Sequence, residues 1–384
     1  MSLNRSRRLR ASIALAAGSL VAVTSCASAT GSSTEEVSPA APVTGAATEC
    51  VAQATTAVDA KREPLDLVVP TAPLDVSSLA GKSLWFITVS MNQFSTDMAA
   101  GVKEAADAAG VETVLYDGQG SGNRFTEGMN QALAQDAGGI ILVGIEPSLI
   151  SSELAAAEAA GIPVLNTLNS APDDAVPDGT FANFTSDFTA DGRTAAEWAL
   201  KDSGCDLDLV VVKASTIPVW NYLAEGAEAA VAELCPDTCT TTTLDLDAAN
   251  IATDLSSQLQ TALQKDPDVN YVFVVWDSGV PYAQPVVAAS GTNAKILARD
   301  GISASLEMVA AGTQDLTVAT PPPGWIGWAA SDDVFRAMLG AEPSGLVVPT
   351  RLIDADNVGD GSTADVSPNY TDYQSAFEKL WGVA

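Results

Sequence analysis

The 384-residue chain contains no histidine. This removes the side chain that most often acts as a general base near neutral pH, and without a Gly-x-Ser-x-Gly elbow a hydrolase triad would need an unusual composition. Basic residues are few as well: 18 Lys and Arg stand against 48 Asp and Glu, for a formal net charge of −30. Four of those cations, Arg5, Arg7, Arg8 and Arg10, fall within the first ten residues, so the remainder is more acidic still. A surface of that sign repels polyphosphate, and no nucleic-acid partner is expected. It suits a protein that stays soluble in a salty or extracellular medium.

The apolar run near the N-terminus, Ala11 to Val23, is about 13 residues long, too short to span a bilayer, which takes about 20. A basic stretch followed by such a run is what a signal peptide requires, over residues 1–25. The run ends in Val23, Thr24, Ser25 and Cys26, which resembles the lipobox of bacterial lipoproteins. Small residues there admit the peptidase, and the thiol accepts a diacylglyceryl group. The expectation is an exported protein whose Cys26 becomes a lipidated N-terminus on the outer face of the cytoplasmic membrane; an ordinary secreted protein is the alternative.

Cysteine is otherwise sparse. Cys50, Cys205, Cys235 and Cys239 remain after Cys26, an even number that in an exported chain suggests disulfides with three possible connectivities. Zinc is the rival use, but no histidine is available to complete a site around Cys235 and Cys239. The stretch Asp354-Ala-Asp356-Asn-Val-Gly359 begins like a calcium loop. It then places Val358 where an oxygen ligand belongs, and no glutamate closes it. Neither a cofactor nor a metal is expected.

What is present is apolar sequence, 47% of the chain, arranged in two alternating periods. Residues 26–80 read as a lipidated N-terminus, a flexible Ser/Thr/Ala/Gly/Pro tether, a short helix within 48–62 and an extended linker, with the folded body starting near Leu79. Apolar strands then alternate with helices from Leu84 to Leu165, and a second such series runs from Thr189 to Ala298. Continuous apolar strands in strict alternation with helices indicate an α/β fold of two doubly wound parallel-sheet lobes.

In such sheets ligands bind beyond the carboxyl ends of the strands. Those ends carry Asn92, Phe94, Asn169, Trp220, Asn221, Trp276, Asp300 and Thr320. Amides, hydroxyls and a carboxylate can bond vicinal hydroxyl groups, while aromatic faces cover the C–H face of a ring, so the set suits a small neutral polyhydroxylated ligand. Each asparagine could equally be a helix cap, and each tryptophan a core residue. A carboxylate-dependent glycosidase using Asp277 and Asp300 is the enzymatic alternative.

Several stretches together are more specific. Asn92-x-Phe94 before a helix, Ala160-Gly161-Ile162-Pro163-Val164, Ser186-Asp187 followed by Asp191-Gly192-Arg193, and Asp300-Gly301 after a strand resemble the type I solute-binding proteins of bacterial sugar ABC importers. The resemblance implies two lobes, 81–185 plus 321–345 and 187–319 plus 347–384, joined by three crossovers near Ser186, Thr320 and Leu346. It implies a non-enzymatic monomer that takes a monosaccharide, polyol or similar solute from an interlobe cleft to a membrane permease, or a receptor of the same fold that reports the solute. It also matches Asn92 and Phe94 to first-strand ligand positions, Asp300 to an aspartate that bonds ring hydroxyls, and Trp276 to a position usually held by asparagine or an aromatic. This chain departs from the family pattern at Leu168-Asn169 and Asn221, where arginines are usual, and at Thr320, where glutamine is.

Overall fold

The structure is a computed structural model and describes residues 45–383. Cys26, the signal peptide and the first part of the tether lie outside the described residues.

The chain opens with helix α1 (Gly45–Ala60). The first lobe then alternates: β1 (Ser83–Thr88), α2 (Gln93–Ala108), β2 (Glu112–Asp117), α3 (Gly122–Ala134), β3 (Gly139–Val143), α4 (Ser151–Ala160), β4 (Val164–Thr167) and β5 (Ala182–Ser186). The second continues the alternation with α5 (Phe188–Ser203), β6 (Asp208–Lys213), α6 (Pro218–Leu234), β7 (Thr240–Asp245), α7 (Ile251–Lys265), β8 (Tyr271–Val274), α8 (Val280–Ser290), β9 (Lys295–Asp300), α9 (Ser303–Ala310) and β10 (Leu316–Ala319). After these come α10 (Pro323–Met338), β11 (Val347–Val348), β12 (Arg351–Asp354), α11 (Thr363–Val366) and α12 (Tyr373–Trp381).

Two six-stranded sheets result, ordered β2-β1-β3-β4-β5-β11 and β7-β6-β8-β9-β10-β12. All ladders are parallel except β10 with β12. The strand order reverses between β1 and β3 in one sheet and between β6 and β8 in the other, which is where a crevice opens beyond the strand ends. Period-two alternation in β1 and β3 divides the first lobe's core. Trp85, Ile87, Ile140 and Leu142 pack with Phe125, Met129 and Leu154 on one face, while Leu84, Phe86 and Ile141 pack with Met98, Val102 and Ile326 on the other.

Helix pairs in both lobes touch through glycine. A Cβ on Gly101 of α2 would lie 2.2 Å from the Gly324 carbonyl oxygen, and one on Gly226 of α6 would lie 2.0 Å from that of Thr189. No side chain larger than hydrogen fits such an approach.

The structure departs from the sequence expectation at both ends. The short helix expected within 48–62 is α1, and it docks on the folded body well ahead of the expected start near Leu79: Cys50, Ala54 and Val58 are buried, and Cys50 is disulfide-bonded to Cys205 at the end of α5. An amphipathic stripe of only three such positions is too weak to distinguish a docked helix from a solvated one. Residues 61–74 then run from β12 to α10. Leu352 donates to the Lys61 carbonyl, Trp325 Nε1 to that of Val68 and Arg336 Nη2 to that of Ala72. At the other end α12 packs on α10, with Trp381 stacked on Trp328 at 5.2 Å, so the C-terminal residues return to the first lobe instead of staying with the second. The last crossover falls between Val348 and Arg351, beyond Leu346, because Val347 and Val348 first pair with β5. The other two crossings follow Ser186 and Ala319.

Candidate functional site

A cavity of about 660 Å³ lies between the lobes. The first lobe contributes Thr88 through Ser95, Gln119, Val143, Gly144 and Leu168; the second contributes Trp220, Trp276, Ser278, Tyr282, Arg299, Asp300 and Met308, among others. Its walls are thus the carboxyl ends of β1, β3, β8 and β9 and the start of α6 after β6, beside the switch point of each sheet.

Five of the eight residues expected from sequence line it: Asn92, Phe94, Trp220, Trp276 and Asp300. Asn92 is also the N-cap of α2. Its Oδ1 accepts from the Ser95 amide at 2.9 Å and the Ser95 hydroxyl takes the Asn92 amide at 2.8 Å. This closes a reciprocal capping box. Trp220 and Trp276 stack on each other with centroids 4.2 Å apart and planes 14° from parallel, and both line the cavity.

Asn169, Asn221 and Thr320 are absent from the lining and bond to protein groups. Asn169 donates to Asn166 Oδ1 at 2.8 Å. Asn221 accepts from Lys213 Nζ at 2.6 Å and donates to the Ser215 carbonyl. Thr320 donates to the Asp300 carbonyl at 2.9 Å.

The two acidic residues at strand ends differ in kind. Asp277 is fully buried, and its carboxylate accepts from the amides of Gly301 and Ile302 at 2.6 and 3.1 Å and from Thr317 Oγ1 at 2.9 Å. Burial raises its pKa against these bonds, and its oxygens hold the β9–α9 turn rather than a substrate. Asp300 sits at φ +141°, a conformation rare for any residue but glycine and one that turns the chain toward Asp277. Burial pushes its carboxyl up to about 7; Arg299 opposes that rise and Asp277 adds to it.

Sequence inspection missed Arg299, since an arginine inside an apolar strand gives no period signal. It is 2% exposed. Its Nε donates to Asp191 Oδ2 at 3.2 Å, its Nη1 donates to Asp300 Oδ1 at 3.0 Å, and its guanidinium lies 4.5 Å from the Phe188 ring centroid. Asp191 in turn accepts from Thr350 and Ser186, so this group joins the cleft to the first and third crossovers.

The cysteines form two disulfides, Cys50–Cys205 and Cys235–Cys239, which selects one of the three connectivities. Among the described residues no cluster of acidic or cysteine side chains is arranged to hold a metal ion. In the stretch that begins like a calcium loop, Arg62 bonds both Asp354 and Asp356, and Trp198 Nε1 donates to Asp354 at 2.7 Å. No described helix is long and apolar enough to cross a membrane.

Two lobes of equivalent topology facing across a cleft of small-molecule size define a binding protein of the hinged, two-lobed class. The profile of the periplasmic binding protein domain matches residues 85–342, and the chain belongs to that family. No curated protein sequence matches it. Among solved structures it is similar to an ABC transporter solute-binding protein from Agrobacterium vitis bound with α-D-tagatopyranose, at 19% identity over 74% of this chain and 99% of that one, TM-score 0.64. A carbohydrate transporter protein from Acidothermus cellulolyticus in complex with myo-inositol gives 19% identity, 78% and 99% coverage and a TM-score of 0.64. A solute-binding protein from Bacillus halodurans with bound myo-inositol gives 17%, 73% and 96%, and 0.63. At these identities the likeness is one of fold.

Proposed function

We propose that the chain is the solute-binding subunit of an ABC importer, taking up a small neutral polyol or sugar between its lobes and handing it to a membrane permease. The observation that carries this is the cleft of about 660 Å³ walled by the strand ends of both lobes, large enough to enclose one ring. Trp220, Trp276 and Phe94 offer apolar faces there, and Asn92 and Asp300 offer polar edges. Asp277 is engaged by the turn it holds, which speaks against a pair of free carboxylates and therefore against glycoside hydrolysis. Export and anchoring through Cys26 complete the reading, keeping the receptor beside its permease.

Thermal-shift screening of sugars, acyclic polyols and inositols checks the binding role: a rise in melting midpoint with at least one neutral polyol is expected, and silence across the panel overturns it. Cys26→Ser should move the expressed protein from the membrane to the soluble fraction; unchanged membrane attachment overturns the anchor.

A further inference from the structure

Among the described residues, eight side-chain polar atoms are buried without a hydrogen-bond partner. Two of them, Arg299 Nη2 and Ser278 Oγ, belong to residues that line the cleft. Folded proteins leave few such atoms, because each has lost water and gained nothing. A binding site is a place where they persist, since a ligand supplies the missing partner.

Arg299 is also immobilised. Two of its three nitrogens are tied to Asp191 and Asp300 and its plane lies over Phe188, so the direction of Nη2 is set by the protein before any ligand arrives. It is the one cation among the described cleft-lining residues, and it is paired with two carboxyl groups, Asp191 and Asp300. The guanidinium therefore leaves no surplus positive charge for an acid.

We propose that Arg299 and Ser278 are ligand-contacting residues which, with Asp300, recognise the hydroxylated edge of an uncharged ring or chain. Arg299 Nη2 donates to one hydroxyl oxygen, Asp300 bonds the neighbouring hydroxyl, and Ser278 Oγ takes a third group. Opening of the lobes admits the ligand to these atoms, and closure buries them again in contact with it. Because Asp191 bonds Arg299 on one side and Ser186 and Thr350 of two crossovers on the other, occupancy at Arg299 is communicated to the hinge.

This inference rests on the solute-binding function proposed above, and the test separates the two. Myo-inositol, allitol, D-arabinose and D-glucuronate are titrated into the wild-type protein, Arg299→Lys and Ser278→Ala by calorimetry, with melting of each ligand-free protein alongside. The expected result is binding of at least one neutral probe, no binding of D-glucuronate, a loss of tenfold or more in Arg299→Lys and of about fivefold in Ser278→Ala. Ser278→Ala should melt no lower than wild type without ligand, since it removes an unpaired hydroxyl; a residue with a purely structural role would lower the midpoint. Wild-type affinity in both variants, or preference for D-glucuronate, overturns this inference while leaving solute binding intact. A wild-type protein that answers to none of the neutral probes overturns the function and the inference together.

Discussion

The phenol of Tyr222 donates to Asp174 Oδ2 over 2.7 Å, joining α6 of the second lobe to the β4–β5 connection of the first. The bond lies between lobes, so it exists only while the cleft is closed, and the carboxylate raises the Tyr222 pKa to about 12, after burial as the larger cause. Tyr222→Phe should leave the ligand-free melting midpoint nearly unchanged while weakening solute binding by about 1 kcal/mol, the scale of one net hydrogen bond. Stopped-flow release should show that loss in the off-rate. An unaltered off-rate would mean that this contact does not hold the closed form.

Trp276 supplies one indole of the stacked pair and lines the cleft. Trp276→Ala should weaken binding by about 1–3 kcal/mol through lost ring contact, and ligand-induced change in tryptophan fluorescence should fall with it. Wild-type affinity in this variant would remove Trp276 from the site.

Burial raises two carboxyl groups into the neutral range, Asp300 to about 7 and Asp333, which accepts from the Ser344 amide and hydroxyl, to about 6. Both lie above the unfolded value of about 3.9. The folded state then binds more protons than the unfolded one between about pH 4 and pH 7, so this contribution to stability is fully present below about pH 4 and is lost as pH rises through 6 and 7. The ligand-free melting midpoint should rise from about pH 8 to about pH 5, and Asp300→Asn should flatten the upper part of that curve. A midpoint that drops steadily over the interval contradicts the protonated, buried state.

The Cys50–Cys205 disulfide closes 155 residues and is the covalent tie between α1 and the second lobe. Cys50→Ser should cost about 2–5 kcal/mol, and hydrogen exchange should locate the loss first in residues 45–60. Uniform loss of protection across both sheets would show instead that α1 is part of the global folding unit.

Gly226→Ala should destabilise by about 1–3 kcal/mol or more, as overpacking does when the obstacle is backbone, because its Cβ would stand 2.0 Å from the Thr189 carbonyl oxygen. Chemical denaturation measures it, and a neutral result would mean that α5 and α6 can separate without cost.

Much of the chain was legible in sequence because its signals are local. Between Leu84 and Leu165 and again between Thr189 and Ala298 strands and helices alternate as apolar period and turn residues place them, and that alternation already implies two parallel sheets. The region from Ser303 onward was not legible in this way. Helix α10 is buried on nearly every side, from Trp325 to Arg336, so it lacks the polar face that makes a helix readable. Strands β11 and β12 are two and four residues long, too short to show a period. The site divides along the same line. Asn92, Phe94, Trp276 and Asp300 stand at strand ends and could be named from that position alone, whereas Arg299 lies within a strand and Ser278 in a short turn.

Sequence by itself determined the elements, their parallel pairing and the acidic, histidine-free composition, because composition and period depend only on neighbouring residues. Tertiary structure alone decided which strand-end residues meet, which cysteines pair, that α1 and α12 dock on opposite lobes, and that Arg299 is clamped between Asp191 and Asp300. Those are relations between residues far apart in the chain, 155 positions for Cys50 and Cys205, and they follow from how the elements pack in three dimensions, which no local pattern records.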